Sequence, residues 1–209
     1  IALVTLAPEL EGAEAVIERL NTLGVVVSLG HSAASEGQAR LAYGRGVRML
    51  THTFNAMPGL HHRAPGPVGA LLGSPPVALG LIADGVHVAP AMAALLQRLH
   101  PQQVVLVSDA LAPYGLPAGS YPWDERQIEV RAGSCRLPDG TLAGTTLTLL
   151  EGVSRLAGWT GDAAAAIAAA TVLPRHVLGE TAMVEQLLLG QPFNATLRWC
   201  AAPGQPSVS

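Results

Sequence analysis

Titratable and metal-binding residues recur in this chain just behind apolar runs. Glu9, Gly30-His31-Ser32, Thr51-His52-Thr53, Asp84-Gly85-Val86-His87 and Ser108-Asp109-Ala110 each close such a run. Two imidazoles and nearby carboxylates suit a metal-assisted hydrolase. A catalytic zinc takes three protein ligands and leaves a position for water. It lowers the pKa of that water and polarises a carbonyl. An unliganded carboxylate can take the water's proton and pass it to the leaving group. His31 and His52 are therefore candidate ligands and Asp109 the candidate base. By position alone Glu9 is the nominee for the third ligand. Zn²⁺ is the first choice of metal, and Fe²⁺ also suits His and carboxylate ligands. His61-His62-Arg63 lies in a Gly/Pro-rich loop and is a candidate anion site, because a guanidinium presents a planar fork to phosphate oxygens. Each residue has a plainer reading. A histidine after a strand can be a hydrogen-bonded structural group, Asp109 a helix cap, Asp84-Gly85 a turn, and His61 to Arg63 a solvated cluster.

The elements that would position these residues alternate. Apolar, β-branched runs over 1–6, 25–29, 47–51, 77–83 and 104–107 predict strands. Between them, 11–23 predicts a helix with Ala15, Val16, Arg19, Leu20 and Leu23 at helical spacing. Ser35 can cap a helix running to about Tyr43, and Pro90 can open one ending near Leu99. Strands this apolar are buried on both faces, which predicts a parallel sheet. Alternation with helices predicts an α/β fold. In such folds the C-terminal strand ends share one face, and that face carries the chemistry. After Asp109 the rhythm breaks. Residues 112–123 read as a long loop and 127–137 as a hairpin turning at Ala132-Gly133. Residues 147–159 and 162–172 read as helices, and 193–199 as a final strand.

Composition narrows the function classes. Of 209 residues, 49% are apolar and 13% charged, about half the usual charged share, so a large core is expected rather than disorder. A net charge of −3 with no basic stripe excludes nucleic acid as an expected partner. No apolar run reaches the roughly 18 residues that span a bilayer, so no membrane is expected. All 12 basic residues are Arg, so these residues supply no Schiff-base, phosphate-loop or carbamylated lysine. Cys135 and Cys200 lack metal-ligand spacing and fit a reduced, cytoplasmic protein. The chain opens on Ile1 rather than Met, so a segment upstream of it is expected.

Seven motifs occur in order: Val4–Glu9 (VTLAPE), Gly30-His31-Ser32, Thr51–Met57 (THTFNAM), Arg63–Gly66 (RAPG), Ala83–His87 (ADGVH), Ser108-Asp109-Ala110 and Gly140–Gly144 (GTLAG). Together, and across nearly the whole chain, they resemble the N-acetylglucosamine-6-phosphate deacetylase family of the amidohydrolase superfamily. The resemblance implies a (β/α)₈ barrel beside a small β-sandwich, and hydrolysis of the N-acetyl group to glucosamine 6-phosphate and acetate. It implies that His31 and His52 bind one divalent metal ion and that Asp109 is the catalytic Asp. It places Asp84, Gly85, Val86 and His87 against the substrate, with His87 near the reacting amide. Asn55, the backbone at Ala56, and Arg63 would hold the sugar phosphate, the Arg reaching a neighbouring subunit's site in a homodimer. Leu142, Ala143 and Gly144 would form a loop closing over the substrate. The family's third metal ligand is a Glu in a segment preceding the first strand seen here. The resemblance therefore overrules Glu9 as a ligand and makes it a shaper of the strand-end loop.

The expected fold is thus α/β, an incomplete (β/α)₈ barrel (strands four to eight) with a small C-terminal β-sandwich portion. Residues 1–126 would be the C-terminal part of a metal-dependent hydrolase barrel, and 127–146 a hairpin and substrate-covering loop. Residues 147–190 would be terminal barrel helices, and 191–209 a returning strand of the small β domain. Residues 1–6 and 104–107 would flank a gap, since an incomplete barrel leaves two edges. Two alternatives stand beside this reading. One is another amidohydrolase acting on a cyclic amide or amidine. The other is a catalytically incomplete barrel portion with a binding or interaction role.

Overall fold

The structure is a computed structural model that describes residues 1–180. The chain divides into two units, Ile1–Gly179 and Glu180–Ser209. The expected strand at 193–199, and with it the 191–209 segment, lies outside the described residues.

Five strands form one parallel sheet: β1 (Leu3–Leu6), β2 (Val26–Leu29), β3 (Val47–Leu50), β4 (Ala78–Leu81) and β5 (Val104–Leu106). Their spatial order is their chain order, with Val4 opposite Val27, Leu50 opposite Leu79 and Leu81 opposite Leu106. A doubly wound sheet would reverse that order at a switch point; this one does not. β1 and β5 are its two edges and do not pair with each other, as expected. Between the strands run α1 (Ala13–Thr22), α2 (Glu36–Gly44), the short α3 (Gly66–Gly69) and α4 (Pro90–Leu99). Val27, Leu29, Leu50, Leu79, Leu81 and Val104 pack with Ile17, Tyr43 and Leu96 in one buried cluster. Each such side chain stabilises the fold by about 1.5–3 kcal/mol relative to exposure.

Local signals set the helix ends. Ser35 accepts a hydrogen bond from the Gln38 backbone N–H while the Gln38 side chain accepts from the Ser35 N–H, a reciprocal cap. Pro90 opens α4, where its missing N–H costs nothing. The buried face of α1 differs from expectation. Ala13 and Ile17 are buried, with Leu20 half-buried, whereas Val16 and Leu23 are exposed. The helix starts at Ala13, after Gly12 at φ 78°. Residues 13, 17 and 20 then form the i, i+4, i+7 stripe facing the sheet.

Beyond β5, four strands make an antiparallel sheet: β6 (Gly119–Trp123), β7 (Arg126–Arg131), β8 (Ser134–Arg136) and β9 (Leu142–Thr145). The expected turn at Ala132-Gly133 joins β7 to β8, with φ of 48° and 80°, the double positive φ of a type I′ hairpin. Two expectations need correction. Residues 119–123, read as loop, are an edge strand, where Pro122 gives up no ladder bond on the open side. Leu142, Ala143 and Gly144, read as a covering loop, are held in β9 by pairing with β8. Among the described residues this sheet is a single layer whose Ile128, Val130 and Cys135 are buried, with Leu111 and Leu137 packed against them. The second layer of a sandwich is not among them.

Three helices complete the unit: α5 (Leu149–Thr160), capped by Thr148 and Glu151, α6 (Ala163–Ala170), capped by Asp162, and α7 (Val172–Val177). The single helix expected to reach Val172 breaks at Thr171. Pro174 cannot donate to the carbonyl of Ala170 and its ring would clash there, so the chain restarts as a new turn.

Candidate functional site

His31 and His52 follow β2 and β3 and turn toward each other. Their Nε2 atoms are 2.9 Å apart and their rings are edge-on, 4.7 Å between centroids. Two Zn–N bonds of about 2.0–2.1 Å at a tetrahedral angle need nitrogens roughly 3.3 Å apart, so the two rings, now at N–H···N hydrogen-bond distance, would open by about 0.4 Å to take one ion between them. His52 Nδ1 is buried without a hydrogen-bond partner in the protein. Nothing on that side fixes the His52 proton, so the tautomer is decided at the Nε2 end. Burial and the neighbouring His31 push the His52 imidazole below its ordinary pKa, and the Asp109 carboxylate pulls the other way without cancelling them. A neutral imidazole is the metal-binding form. Among the described residues no cluster of three or more His, Cys, Asp or Glu is placed to hold a metal ion.

Asp109 follows β5 and its charge is felt at His52. Its backbone sits at φ 51°. His31 (48°) and His52 (30°), just past β2 and β3, and Phe54 (79°) and Ala56 (48°), in the turn after β3, share that left-handed region. Such non-glycine conformations cost of order 1–3 kcal/mol each and persist only where the surroundings impose them. At Asp109 the surroundings are β9. Thr145 N–H donates to the Asp109 carbonyl (2.9 Å), and Leu111 N–H donates to the Thr145 carbonyl (3.0 Å). Gly144 passes so close that a Cβ there would stand 2.7 Å from the Asp109 carbonyl oxygen.

Asp84 and His87 follow β4, which lies between β3 and β5. Asp84 Oδ1 accepts from the N–H groups of Val86 and His87, and Oδ2 lies 2.6 Å from His87 Nδ1. Burial raises the Asp84 carboxyl, but the His87 ring and these backbone donors outweigh it and hold it below its ordinary pKa. An ionised carboxylate only accepts, so His87 Nδ1 carries the proton and Nε2 is the free end. Arg155 of α5 donates to the Asp84 carbonyl from 71 residues away.

Glu9 accepts from the Ser32 hydroxyl (2.7 Å) and the Ala33 N–H (2.6 Å). Burial opposes these bonds without cancelling them, and its carboxyl stays below the usual range. Glu9 thus ties the exit of β1 to that of β2. The Ala56 carbonyl accepts from Ser32 N–H, and the Asn55 side chain donates to the carbonyls of His52 and Thr53. The structure therefore brings His31 and His52 together, with the Asp109 charge felt at His52, ties the Asn55–Ala56 loop to the exits of β2 and β3, and places the Asp84–His87 pair behind β4, the strand between β3 and β5. Arg63 is not drawn in: it is exposed, and its guanidinium meets His62 Nε2 at 2.8 Å.

The chain is 40% identical to an N-acetylgalactosamine-6-phosphate deacetylase of Escherichia coli O157:H7 over 91% of its own length and 51% of that protein's. It is 42% identical to an N-acetylglucosamine-6-phosphate deacetylase of Vibrio furnissii, over 75% and 39%. The crystal structure of the Thermotoga maritima N-acetylglucosamine-6-phosphate deacetylase superposes with a TM-score of 0.79 at 35% identity, over 85% of this chain and 49% of that one. The chain belongs to the N-acetylglucosamine-6-phosphate deacetylase family of amidohydrolases. It spans about half the length of the curated deacetylases it matches. A variant of the Mycobacterium smegmatis N-acetyl-D-glucosamine-6-phosphate deacetylase, in complex with N-acetyl-D-glucosamine-6-phosphate, also matches, with a TM-score of 0.79 at 36% identity over 86% of this chain and 49% of that one. No family model matches the chain. Two residues around this deacetylase-family site escape sequence reasoning, Thr145 and Arg155. Their partners are backbone carbonyls 37 and 71 residues away, and no side-chain pattern signals such a contact.

Proposed function

We propose that the protein hydrolyses the N-acetyl group of N-acetylglucosamine 6-phosphate, giving glucosamine 6-phosphate and acetate in the cytoplasm. The convergence of His31 and His52 beside Asp109, in a chain of this family, carries the reading. In it the five strands are consecutive strands of a (β/α)₈ barrel, and their ends form the floor of the active site. His31 and His52 would hold one divalent ion, Zn²⁺ or Fe²⁺, which when bound polarises the amide carbonyl and lowers the pKa of its water. Asp109 takes a proton from the attacking water and returns one to the departing amine. The carboxylate of Asp84 fixes His87 through Nδ1, leaving Nε2 to orient the amide. The Asp84-Gly85-Val86 turn on one side, and Leu142, Ala143 and Gly144 of β9 on the other, wall the sugar. Asn55, the Ala56 backbone and Arg63 hold the phosphate, with Arg63 serving the neighbouring subunit of a homodimer.

A charged hydrogen bond contributes about 1.5–3 kcal/mol, or roughly 10- to 100-fold in affinity. Arg63→Ala is therefore expected to raise KM for N-acetylglucosamine 6-phosphate by roughly 10- to 100-fold and to leave KM for unphosphorylated N-acetylglucosamine unchanged. Equal KM in variant and wild type for the phosphorylated sugar would favour an uncharged substrate such as a cyclic amide. The relative named for the galactosamine epimer makes N-acetylgalactosamine 6-phosphate the second candidate, and kcat/KM measured for both sugars ranks them.

A further inference from the structure

Thr145 is fully buried, and its side chain and backbone are both engaged. Its hydroxyl donates to the Ser108 carbonyl at 2.6 Å and accepts from the Leu147 N–H at 3.0 Å. Its backbone N–H donates to the Asp109 carbonyl at 2.9 Å. One residue therefore grips the carbonyls on both sides of the Asp109 Cα. A peptide unit is planar, so fixing the planes before and after Cα fixes φ and ψ of Asp109, and with them the direction of its Cβ. That backbone is in the left-handed region, at φ 51°, which an aspartate leaves when nothing imposes it. Gly144, with no side chain, lets β9 come close enough for the grip.

We propose that Thr145 is a positioning residue for catalysis. It holds the strained backbone of Asp109 so that the carboxylate faces the site beside His52. Leu147 N–H, by donating to the Thr145 hydroxyl, turns that hydroxyl's own proton toward Ser108. The inference rests on the proposed role of Asp109 in deacetylation, but the clamp itself is measurable without turnover.

The test uses wild-type protein, Thr145→Val (same shape, no hydroxyl) and Thr145→Ser (hydroxyl kept). A left-handed residue has a short HN–Hα distance, so the intraresidue HN–Hα NOE of Asp109 is strong in wild type and in Thr145→Ser. It falls to the level of extended residues in Thr145→Val. Misplacing a catalytic group by about 1 Å costs on the order of 100-fold. Thr145→Val should accordingly lose about that much in kcat for N-acetylglucosamine 6-phosphate, with KM within about twofold, while Thr145→Ser stays within about threefold of wild type. Should Thr145→Val fail to fold, Thr145→Cys, similar in size with a weaker donor, gives the same NOE reading. An Asp109 NOE unchanged in the folded hydroxyl-less variant, or weak in wild type, overturns the clamp. A clamp lost without loss of kcat overturns the positioning role. Absence of turnover in the full-length wild-type protein with the NOE pattern as described refutes the deacetylase reading and leaves the clamp standing.

Discussion

Asp109→Asn is expected to keep the fold and lose turnover of N-acetylglucosamine 6-phosphate by about 10²- to 10⁴-fold, the range for removal of a general acid–base group. The substitution keeps size and shape and removes the carboxylate's charge and its capacity for proton transfer. Asparagine has the same size and tolerates left-handed backbone as well as aspartate does, so the φ of 51° and the Thr145 contacts survive. The amide can neither take a proton from water nor return one to the amine. Metal content should stay at the wild-type level, which separates loss of a base from loss of a ligand. Measuring kcat and metal stoichiometry on the same preparation checks both, and near-wild-type turnover would remove Asp109 from the mechanism.

His31→Asn should abolish metal-dependent stabilisation. His31 is exposed while His52 is buried, so His31 can be replaced without opening a cavity, and Asn accepts the φ of 48°. Loss of a partner that only orients a ligand costs about 10- to 100-fold in metal affinity, and loss of the ligand itself should exceed that. A ligand that binds only the folded state stabilises it by RT ln(1 + [L]/Kd). Thermal melts in increasing zinc should therefore raise the wild-type Tm and leave His31→Asn nearly unmoved at the same concentrations. Parallel shifts in the two proteins would place the metal elsewhere.

Much of the site is legible in the sequence because the chemistry sits where a parallel sheet ends. His31, His52, His87 and Asp109 each trail an apolar run, and those runs are β2 to β5. The caps at Ser35 and Pro90 are read from local residues alone. What escapes is set by partners distant in sequence. β6 is hidden by Gly119 and Pro122, residues that normally mark loops and are accepted here because β6 lies at an edge. β9 is read as a covering loop from the resemblance alone, and its Gly144 is what admits the close approach to Asp109. The buried face of α1 is shifted because the helix begins at Ala13, and spacing alone could not choose between Val16 and Ile17 as the inward residue. Glu9 shows the opposite failure. Its position suggests a ligand, but both its oxygens are spent on Ser32 and Ala33.

The reaction itself is the most direct test. Purified full-length protein supplied with Zn²⁺ and N-acetylglucosamine 6-phosphate, followed by proton NMR, should release acetate and glucosamine 6-phosphate in equal amounts. The same experiment with Asp109→Asn should release neither on that timescale. Wild-type protein that binds zinc and the sugar phosphate yet releases no acetate, or an Asp109→Asn variant that releases it at the wild-type rate, would contradict the assignment.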